Sequence, residues 1–199
     1  MESETDREIV ERVLAGHTES FAILVRRYKG KLFGLLRGLG VPSQDAQDMA
    51  QEAFIKAYHN LSTHRPEKSF SAWLYTITTN IWRDSVKRKK LILTELDEDL
   101  TASGQGFEEQ LLRAESREEL YQVMERLPEH YRLALLLRYT NDLSYEEISQ
   151  LLGVGVPKVR NDLYRAKERM RLLLSKKEGA GHGLLKPQGD GALSGRDTD

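Results

Sequence analysis

The sequence predicts an all-α fold in which two small helical domains are joined by an acidic, flexible linker. In every long segment the apolar residues recur at spacings of three and four, which is typical of amphipathic helices, and the alternation expected of strands is nearly absent. A length of 199 residues accommodates two such domains. A stretch rich in acidic residues and glycine separates them, and the chain ends in a glycine-rich segment.

The distribution of charge predicts where the domains begin and end. The net charge is only −1, but residues 1–90 carry 15 basic and 11 acidic side chains. Residues 94–119 carry nine acidic side chains against two basic ones, and residues 158–177 carry eight basic against two acidic. From this segregation and the breaker residues we expect four segments: a helical domain over 1–90, an acidic linker over 91–112, a second helical domain over 113–177 and a disordered tail over 178–199.

The composition excludes several classes of site. Because the chain has no cysteine, thiol nucleophiles, disulfides and thiolate metal sites are excluded. The five histidines are scattered and match no metal-binding or catalytic spacing, so we expect no metal, no cofactor and no catalytic residue. No apolar run approaches the roughly 20 residues of a membrane span, and the acidic start is unlike a signal peptide. We therefore expect a soluble, cytoplasmic protein that is not an enzyme.

The helix predicted over residues 44–61 has an unusual outer face. Its buried arc is rich in alanine, whereas the opposite arc places an isoleucine and a tyrosine beside carboxylates. A solvated acidic face is one interpretation of this pattern, and a protein docking patch is the other. The residues concerned are Asp45, Asp48, Gln51, Glu52, Ile55 and Tyr58.

The helix predicted over residues 70–90 carries hydroxyls, an aromatic ring and a ladder of cations on one face. Such a face can hold phosphates while a base stacks or hydrogen-bonds between them, although a solubilising cationic face would have the same composition. The preceding polar loop, residues 62–69, either cups a base or merely connects two helices. The candidate residues are His64, Arg65, Lys68, Tyr75, Thr76, Thr79, Asn80, Arg83 and Lys87.

The most specific local signal is a helix-turn-helix. Ser144 and Glu147 form a capping box, Gly153 suits a left-handed helix end, and Pro157 suits the first turn of the next helix. The outer face of that second helix has side chains suited to base edges and phosphates, and a non-functional helical hairpin is the alternative. The candidate residues are Lys158, Arg160, Asn161, Tyr164, Arg165 and Lys167.

Asp162 does not fit a DNA-binding helix, because a carboxylate near phosphates lowers affinity. Lys158 lies four residues before it and Arg165 lies three after it. We expect one of these two cations to neutralise the carboxylate and to be restricted by it.

Several motifs together resemble extracytoplasmic-function (ECF) sigma factors of bacterial RNA polymerase. The first half resembles their amino-terminal domain in DAQDMAQEAFIKAY at 45–58 and FSAWLYTI at 70–77. The second half resembles their carboxy-terminal domain in LPEHYR at 127–132, LSYEEI at 143–148 and LYRA at 163–166. The match covers about residues 18–175 in the right order, but Pro157-Lys158 and Asp162 depart from the usual family pattern.

The resemblance implies an alternative sigma factor that binds core RNA polymerase and directs promoter recognition, DNA melting and transcription initiation. It implies that the helix over 44–61 docks on the polymerase, that the helix over 70–90 and its loop melt the minus-ten element and capture a flipped base, and that the last helix reads the minus-thirty-five duplex. It also implies an anti-sigma factor as a further partner.

One alternative from the residues is a stand-alone helix-turn-helix repressor or activator that binds duplex DNA as a dimer. Another is a helical adaptor that binds only protein. The outer face of the 44–61 helix distinguishes the sigma factor from the repressor, because a duplex-binding repressor has no use for a docking patch.

Overall fold

The part of the chain that the computed structural model describes consists of helices joined by turns and loops, and it contains no strand. The described backbone covers residues 4–95, 118 and 120–181, and side chains are described for 4–89, 118 and 120–174. The helices are α1 (Asp6–Leu14), α2 (Phe21–Gly38), α3 (Ser43–His59), α4 (Phe70–Glu95), α5 (Glu129–Leu135), α6 (Tyr145–Leu152) and α7 (Val156–Gly181). Residues 120–125 are also helical. The predicted all-helical class is confirmed.

The first four helices pack around a core of fully buried aliphatic side chains. These include Ile9, Leu24, Leu32, Leu35, Ala46, Ala53 and Leu74. A capping box between Thr5 and Glu8 begins α1. The carboxylate of Asp6 then accepts hydrogen bonds from Arg27 and from the Tyr28 hydroxyl, which attaches α1 to α2. Because the alanines of α3 are small, α3 lies close against its neighbours while its outer face stays open.

The second half is built around the predicted helix-turn-helix. The Ser144 hydroxyl accepts a hydrogen bond from the Glu147 amide at 3.1 Å, and the Glu147 carboxylate accepts one from the Ser144 amide at 2.8 Å. Gly153 ends α6 with φ of 67°, the left-handed conformation that glycine adopts without strain. Before α6, the chain from Leu136 to Thr140 widens into a π-helical turn that the sequence pattern did not predict.

The two halves touch each other along α2. The backbone of Gly38 lies so close to Leu136 that an added Cβ would approach a leucine methyl to 2.5 Å. Arg37 pairs with Glu118 at 2.6 Å, and their exposures of 17% and 54% place this ion pair at the edge of the contact. The buried apolar side chains of both halves form one continuous cluster. Such long-range contacts depend on side chains far apart in the sequence, and the local pattern did not predict them.

The helix ends differ somewhat from the expected segment boundaries. α4 continues to Glu95 and α7 to Gly181, so the first residues of the predicted linker and of the predicted tail are helical. The rest of the predicted linker, residues 96–112, and the rest of the tail, residues 182–199, lie outside the described residues. Within the described ranges, no helix has the length and the hydropathy that crossing a membrane requires.

Candidate docking and nucleic-acid-binding surfaces

The outer face of α3 presents apolar and acidic side chains together. We call the six predicted residues Asp45, Asp48, Gln51, Glu52, Ile55 and Tyr58 the α3 patch. Ile55 is 51% exposed and Tyr58 is 40% exposed, so both keep apolar surface in water. Glu52 pairs with Lys56 at 2.8 Å and Asp45 pairs with Lys89 at 3.4 Å, while Asp48 is exposed. All six predicted residues of this surface therefore lie on one face, with an apolar centre and an acidic margin.

An apolar groove lies beside the α3 patch, between α2 and α3. Its volume is about 770 Å³, and its walls include Phe21, Val25, Phe33, Phe54 and Ile55. The ring of Phe21 contacts that of Tyr58 edge to face, with 5.1 Å between centroids. Sequence reasoning missed the α2 wall. The available signal was the width of the apolar stripe on α2, which is too broad to be buried by one neighbour.

The cationic face predicted on α4 is only partly exposed. Asn80 and Lys87 are exposed and Arg83 is half-buried, all on the side away from the core. Tyr75 and Thr79 have no solvent exposure. The Thr79 hydroxyl donates to the Tyr75 carbonyl at 2.9 Å, and the Thr76 hydroxyl donates to the Ala72 carbonyl at the same distance. Of the predicted α4 residues, Asn80, Arg83 and Lys87 are thus the ones whose polar side-chain groups can reach a ligand from the helix surface.

The loop before α4 contains one residue that is packed inside the fold. His64 is 7% exposed and lies against the rings of Phe70 and Trp73, at centroid distances of 5.8 and 5.2 Å. Burial lowers the pKa of its imidazole, because removal from water disfavours the charged form. Arg65 and Lys68 are exposed on the same loop.

The outward face of α7 carries every residue that the sequence assigned to it. Val159, Leu163 and Ala166 are buried. The outward residues, all exposed, are Lys158, Arg160, Asn161, Tyr164, Arg165 and Lys167. Tyr164 is the most open of the large apolar side chains described, at 67%. The Arg165 Nε donates to the Asn161 Oδ1 at 3.3 Å, so these two residues lie as a pair on the helix surface.

Aromatic side chains outside α7 hold two of its cations. The Arg160 guanidinium lies 5.5 Å from the centre of the Tyr145 ring, and the Arg138 guanidinium lies 4.9 Å from the same ring. The Lys167 ammonium lies 4.7 Å from the centre of the Tyr139 ring. These cation–π contacts orient the cations before any ligand arrives. They were missed because they join different helices.

Asp162 lies at the inner edge of α7 rather than on its outward face. The residue is 6% exposed, and its carboxylate contacts the Lys158 ammonium at 2.9 and 3.2 Å. Of the two cations considered as its partner, Lys158 is the one that binds it, while Arg165 turns to Asn161. Phosphates would meet a carboxylate that is already buried and paired, which removes most of the expected repulsion.

Metal ions in proteins are held by clusters of side chains that supply several ligands. Among the described residues, no three His, Asp or Glu side chains converge as a metal site would require. The side chains that these surfaces expose can form apolar, hydrogen-bonding and ionic contacts with a partner.

Comparison with known proteins identifies the kind of protein to which these surfaces belong. Residues 24–92 match the model of Sigma-70 region 2, and residues 117–170 match that of Sigma-70, region 4. The RNA polymerase sigma-H factor of Pseudomonas aeruginosa is 36% identical over 178 residues, covering 83% of this chain and 91% of that protein. The ECF RNA polymerase sigma-E factor of Escherichia coli is 35% identical over 175 residues, covering 82% and 91%. The chain belongs to the ECF sigma factors.

Solved structures support the same fold for this sigma factor. The structure of CnrH in complex with the cytosolic domain of CnrY gives a TM-score of 0.68 at 24% identity, covering 87% of this chain and 99% of that one. The sigma factor RpoE of Bartonella quintana, solved with the anti-sigma factor NepR, gives 0.66 at 18% identity, covering 79% and 98%. At these identities the likeness is one of fold.

The surfaces divide between the two matched regions of the sigma factor. The α3 patch and the α4 face lie within region 2, and the outward face of α7 up to Lys167 lies within region 4. As an alternative sigma factor the protein directs promoter recognition and transcription initiation.

Proposed function

We propose that this sigma factor divides its work among three surfaces. The α3 patch binds core RNA polymerase, the open face of α4 with its preceding loop takes the melted minus-ten strand, and the outward face of α7 reads the minus-thirty-five duplex. The observation that carries this assignment is the exposure of Ile55 and Tyr58 among carboxylates on α3. A protein that binds duplex DNA by itself would gain nothing from this patch.

The chemistry of the α3 patch indicates what it would bind. Ile55 and Tyr58 supply a desolvable centre beside the apolar groove, while Asp48 and Glu52 supply a negative margin. A partner surface with apolar side chains surrounded by cations would complement both parts. We assign that role to a helical element of core RNA polymerase.

The minus-ten strand would be contacted by the side chains of α4 and its preceding loop that are accessible to solvent. Asn80 offers both a donor and an acceptor to a base edge, and Arg83, Lys87, Arg65 and Lys68 offer charge to phosphates. The hydroxyl of Thr76 is bonded to its own helix. The buried residues His64, Tyr75 and Thr79 would touch DNA only after the loop and α4 rearrange, so for them the sequence prediction stays untested.

For the minus-thirty-five duplex, α7 exposes an amide and cations, which are side chains that bind base edges and phosphates. Asn161 and Arg165 lie one turn apart and are bonded to each other, and Arg160 and Lys167 flank them on cation–π supports. Asn can bind adenine with two hydrogen bonds, and Arg can bind guanine in the same way. The flanking cations would hold the helix on the phosphates.

Replacing Arg165 with alanine tests the reading of the duplex. If Arg165 contacts a base, Arg165→Ala should weaken recognition of the upstream element by about 1–3 kcal/mol and relax the preference at one base pair. Competition between promoter variants for the holoenzyme measures both effects. A uniform loss across all sequences would reassign Arg165 to the phosphate backbone.

We further infer a regulatory protein partner and a cytoplasmic site of action without catalysis by the chain itself. The solved CnrH and RpoE relatives are bound to CnrY and to the anti-sigma factor NepR, respectively. The same class of partner, an anti-sigma factor, is proposed here.

We propose that the chain is divided into four functional segments. Residues 1–90 would form the polymerase-docking and minus-ten unit, residues 91–112 the acidic linker, residues 113–177 the minus-thirty-five unit, and residues 178–199 a tail. Each DNA surface would bind weakly alone, and the polymerase would present them together, so that the gain comes from avidity.

Reconstitution of transcription tests the proposed function directly. The purified protein is added to sigma-free core RNA polymerase with fragmented genomic DNA, and the transcripts are sequenced. Discrete start sites that share two upstream elements are expected. Absence of specific transcripts, together with a footprint of the protein alone on duplex DNA, would support the stand-alone repressor instead.

A further inference from the structure

Among the described residues, Asp162 is the most deeply buried carboxylate that forms an ion pair, at 8% against 21% for Asp6. In the pairs Arg7–Glu11 and Lys56–Glu52, both side chains are close to half exposed or more. The side chain of Asp162 is only 8% exposed, whereas that of its partner Lys158 is 55% exposed. The pair therefore consists of a buried anion that holds an exposed cation at the start of α7.

This arrangement changes what Lys158 can offer to DNA. An ammonium group has three N–H donors. Two acceptors of the Asp162 carboxylate, Oδ1 and Oδ2, lie at 3.2 and 2.9 Å from the Lys158 Nζ. Because both oxygens belong to one carboxylate, a single N–H directed between them serves both, and the other two N–H groups remain for external acceptors. The carboxylate also balances most of the positive charge of Lys158. Lys158 lies in the first turn of α7, the part of a recognition helix that contacts base edges.

We propose that Asp162 is a positioning residue for promoter specificity. It holds the Lys158 ammonium in place so that one of the remaining N–H groups donates to an acceptor in the major groove, such as guanine O6 or N7, and the ammonium does not move to a phosphate. The carboxylate itself does not contact DNA, because it is buried. This inference rests on the proposed reading of the minus-thirty-five duplex by α7 and adds a specificity determinant to it.

The test compares holoenzymes that carry wild-type protein or the variant Asp162→Asn. The probe is a promoter found in the transcription experiment above, with its minus-thirty-five element randomised. We expect the variant to lose about tenfold in preference at one base pair, because Lys158 is no longer held. The released ammonium should also bind a phosphate, which steepens the log–log salt dependence of closed-complex formation by about 0.9.

Glu168→Gln provides the matched control. It also removes one carboxylate from α7, but Glu168 is an exposed residue paired with Arg171 at 2.7 Å. The base preference should be unchanged in this control. If Glu168→Gln and Asp162→Asn steepen the salt dependence equally and neither alters base preference, the effect is one of general charge and the inference is wrong.

A second variant keeps the test valid if Asp162→Asn disturbs folding. Lys158→Gln retains an N–H donor next to the buried carboxylate but removes the cation, and the preference should change at the same base pair that Asp162→Asn affects. Folding is checked by thermal unfolding of each variant. Unchanged selection by folded Asp162→Asn, or a change at a different position in Lys158→Gln, would overturn the inference.

The design separates this inference from the proposed function. If the wild-type holoenzyme selects no sequence in the randomised element, duplex reading by α7 fails, and the inference fails with it. If the wild type selects a motif that Arg165→Ala alters and Asp162→Asn does not, the proposed function stands and only the role of Asp162 is rejected.

Discussion

Ile55→Glu is expected to weaken binding of the sigma factor to core RNA polymerase by about 2 kcal/mol or more, the size of a hot-spot substitution. Ile55 is the exposed apolar centre of the α3 patch, and docking would remove it from water. A glutamate at that position would bury an unpaired carboxylate, which costs far more than the lost methyl contacts. Because Ile55 is 51% exposed in the free protein, helix content and thermal stability should change little. Titration of labelled protein with core polymerase measures the affinity.

Val86→Glu is the matched control for this prediction. Val86 is also a β-branched aliphatic residue on a helix surface, 41% exposed, but it lies on α4 outside the α3 patch. Its substitution should leave the affinity for core polymerase unchanged. Asp48→Arg tests the acidic margin separately and should weaken binding most at low salt, where exposed charges are least screened. Unchanged binding of Ile55→Glu would reject the α3 patch as the docking surface.

The local signals in the sequence predicted the local structure well. The capping box of Ser144 and Glu147, the left-handed Gly153 and the outward side chains of α7 follow from chemistry within one or two helical turns. The exposed isoleucine of the α3 patch was predicted for the same reason, since a helix of known phase fixes which residues share a face. These features need no knowledge of distant parts of the chain.

The features that sequence reasoning missed depend on contacts between distant residues. Helical phase placed Tyr75 and Thr79 near an exposed arc, but Tyr75 meets Tyr28 of α2 with 6.4 Å between ring centroids and is covered. His64 stands in a polar loop, yet the rings of Phe70 and Trp73 enclose it. The close approach of Gly38 to Leu136 spans almost a hundred residues. None of these contacts affects the periodic spacing of apolar residues from which the helices were predicted.

The burial of Asp162 is an intermediate case. Its helical phase lies beside the core positions Val159 and Leu163, and Lys158 stands one turn before it, so an ion pair was expected. The sequence could not decide between Lys158 and Arg165, because both are within reach on a helix. In the structure Lys158 binds the Asp162 carboxylate, while Arg165 donates a hydrogen bond to the side-chain oxygen of Asn161.

Asn80→Ala is expected to slow promoter opening by about tenfold while duplex binding is retained. Asn80 is exposed on the open face of α4, between the half-buried Arg83 and the start of the helix. If its amide binds the edge of an unpaired base, the substitution leaves that base without its partner only in the opened state, at a cost of about 1–3 kcal/mol. The closed complex, in which the strands are still paired, gains nothing from Asn80. Permanganate reactivity of thymines in the minus-ten element, followed over time, measures opening.

Lys87→Ala distinguishes a base contact from a phosphate contact on the same face. Lys87 is exposed two turns after Asn80, and its ammonium would bind a phosphate in the closed and open complexes alike. Its loss should weaken formation of both complexes and reduce their salt dependence, with little change in the opening rate of complexes already formed. Asn80→Ala should show the opposite pattern, a slower opening step with unchanged salt dependence of closed-complex formation. Normal opening kinetics in Asn80→Ala would exclude Asn80 from strand capture, and the contact would then have to come from residues that the loop releases, His64 foremost among them.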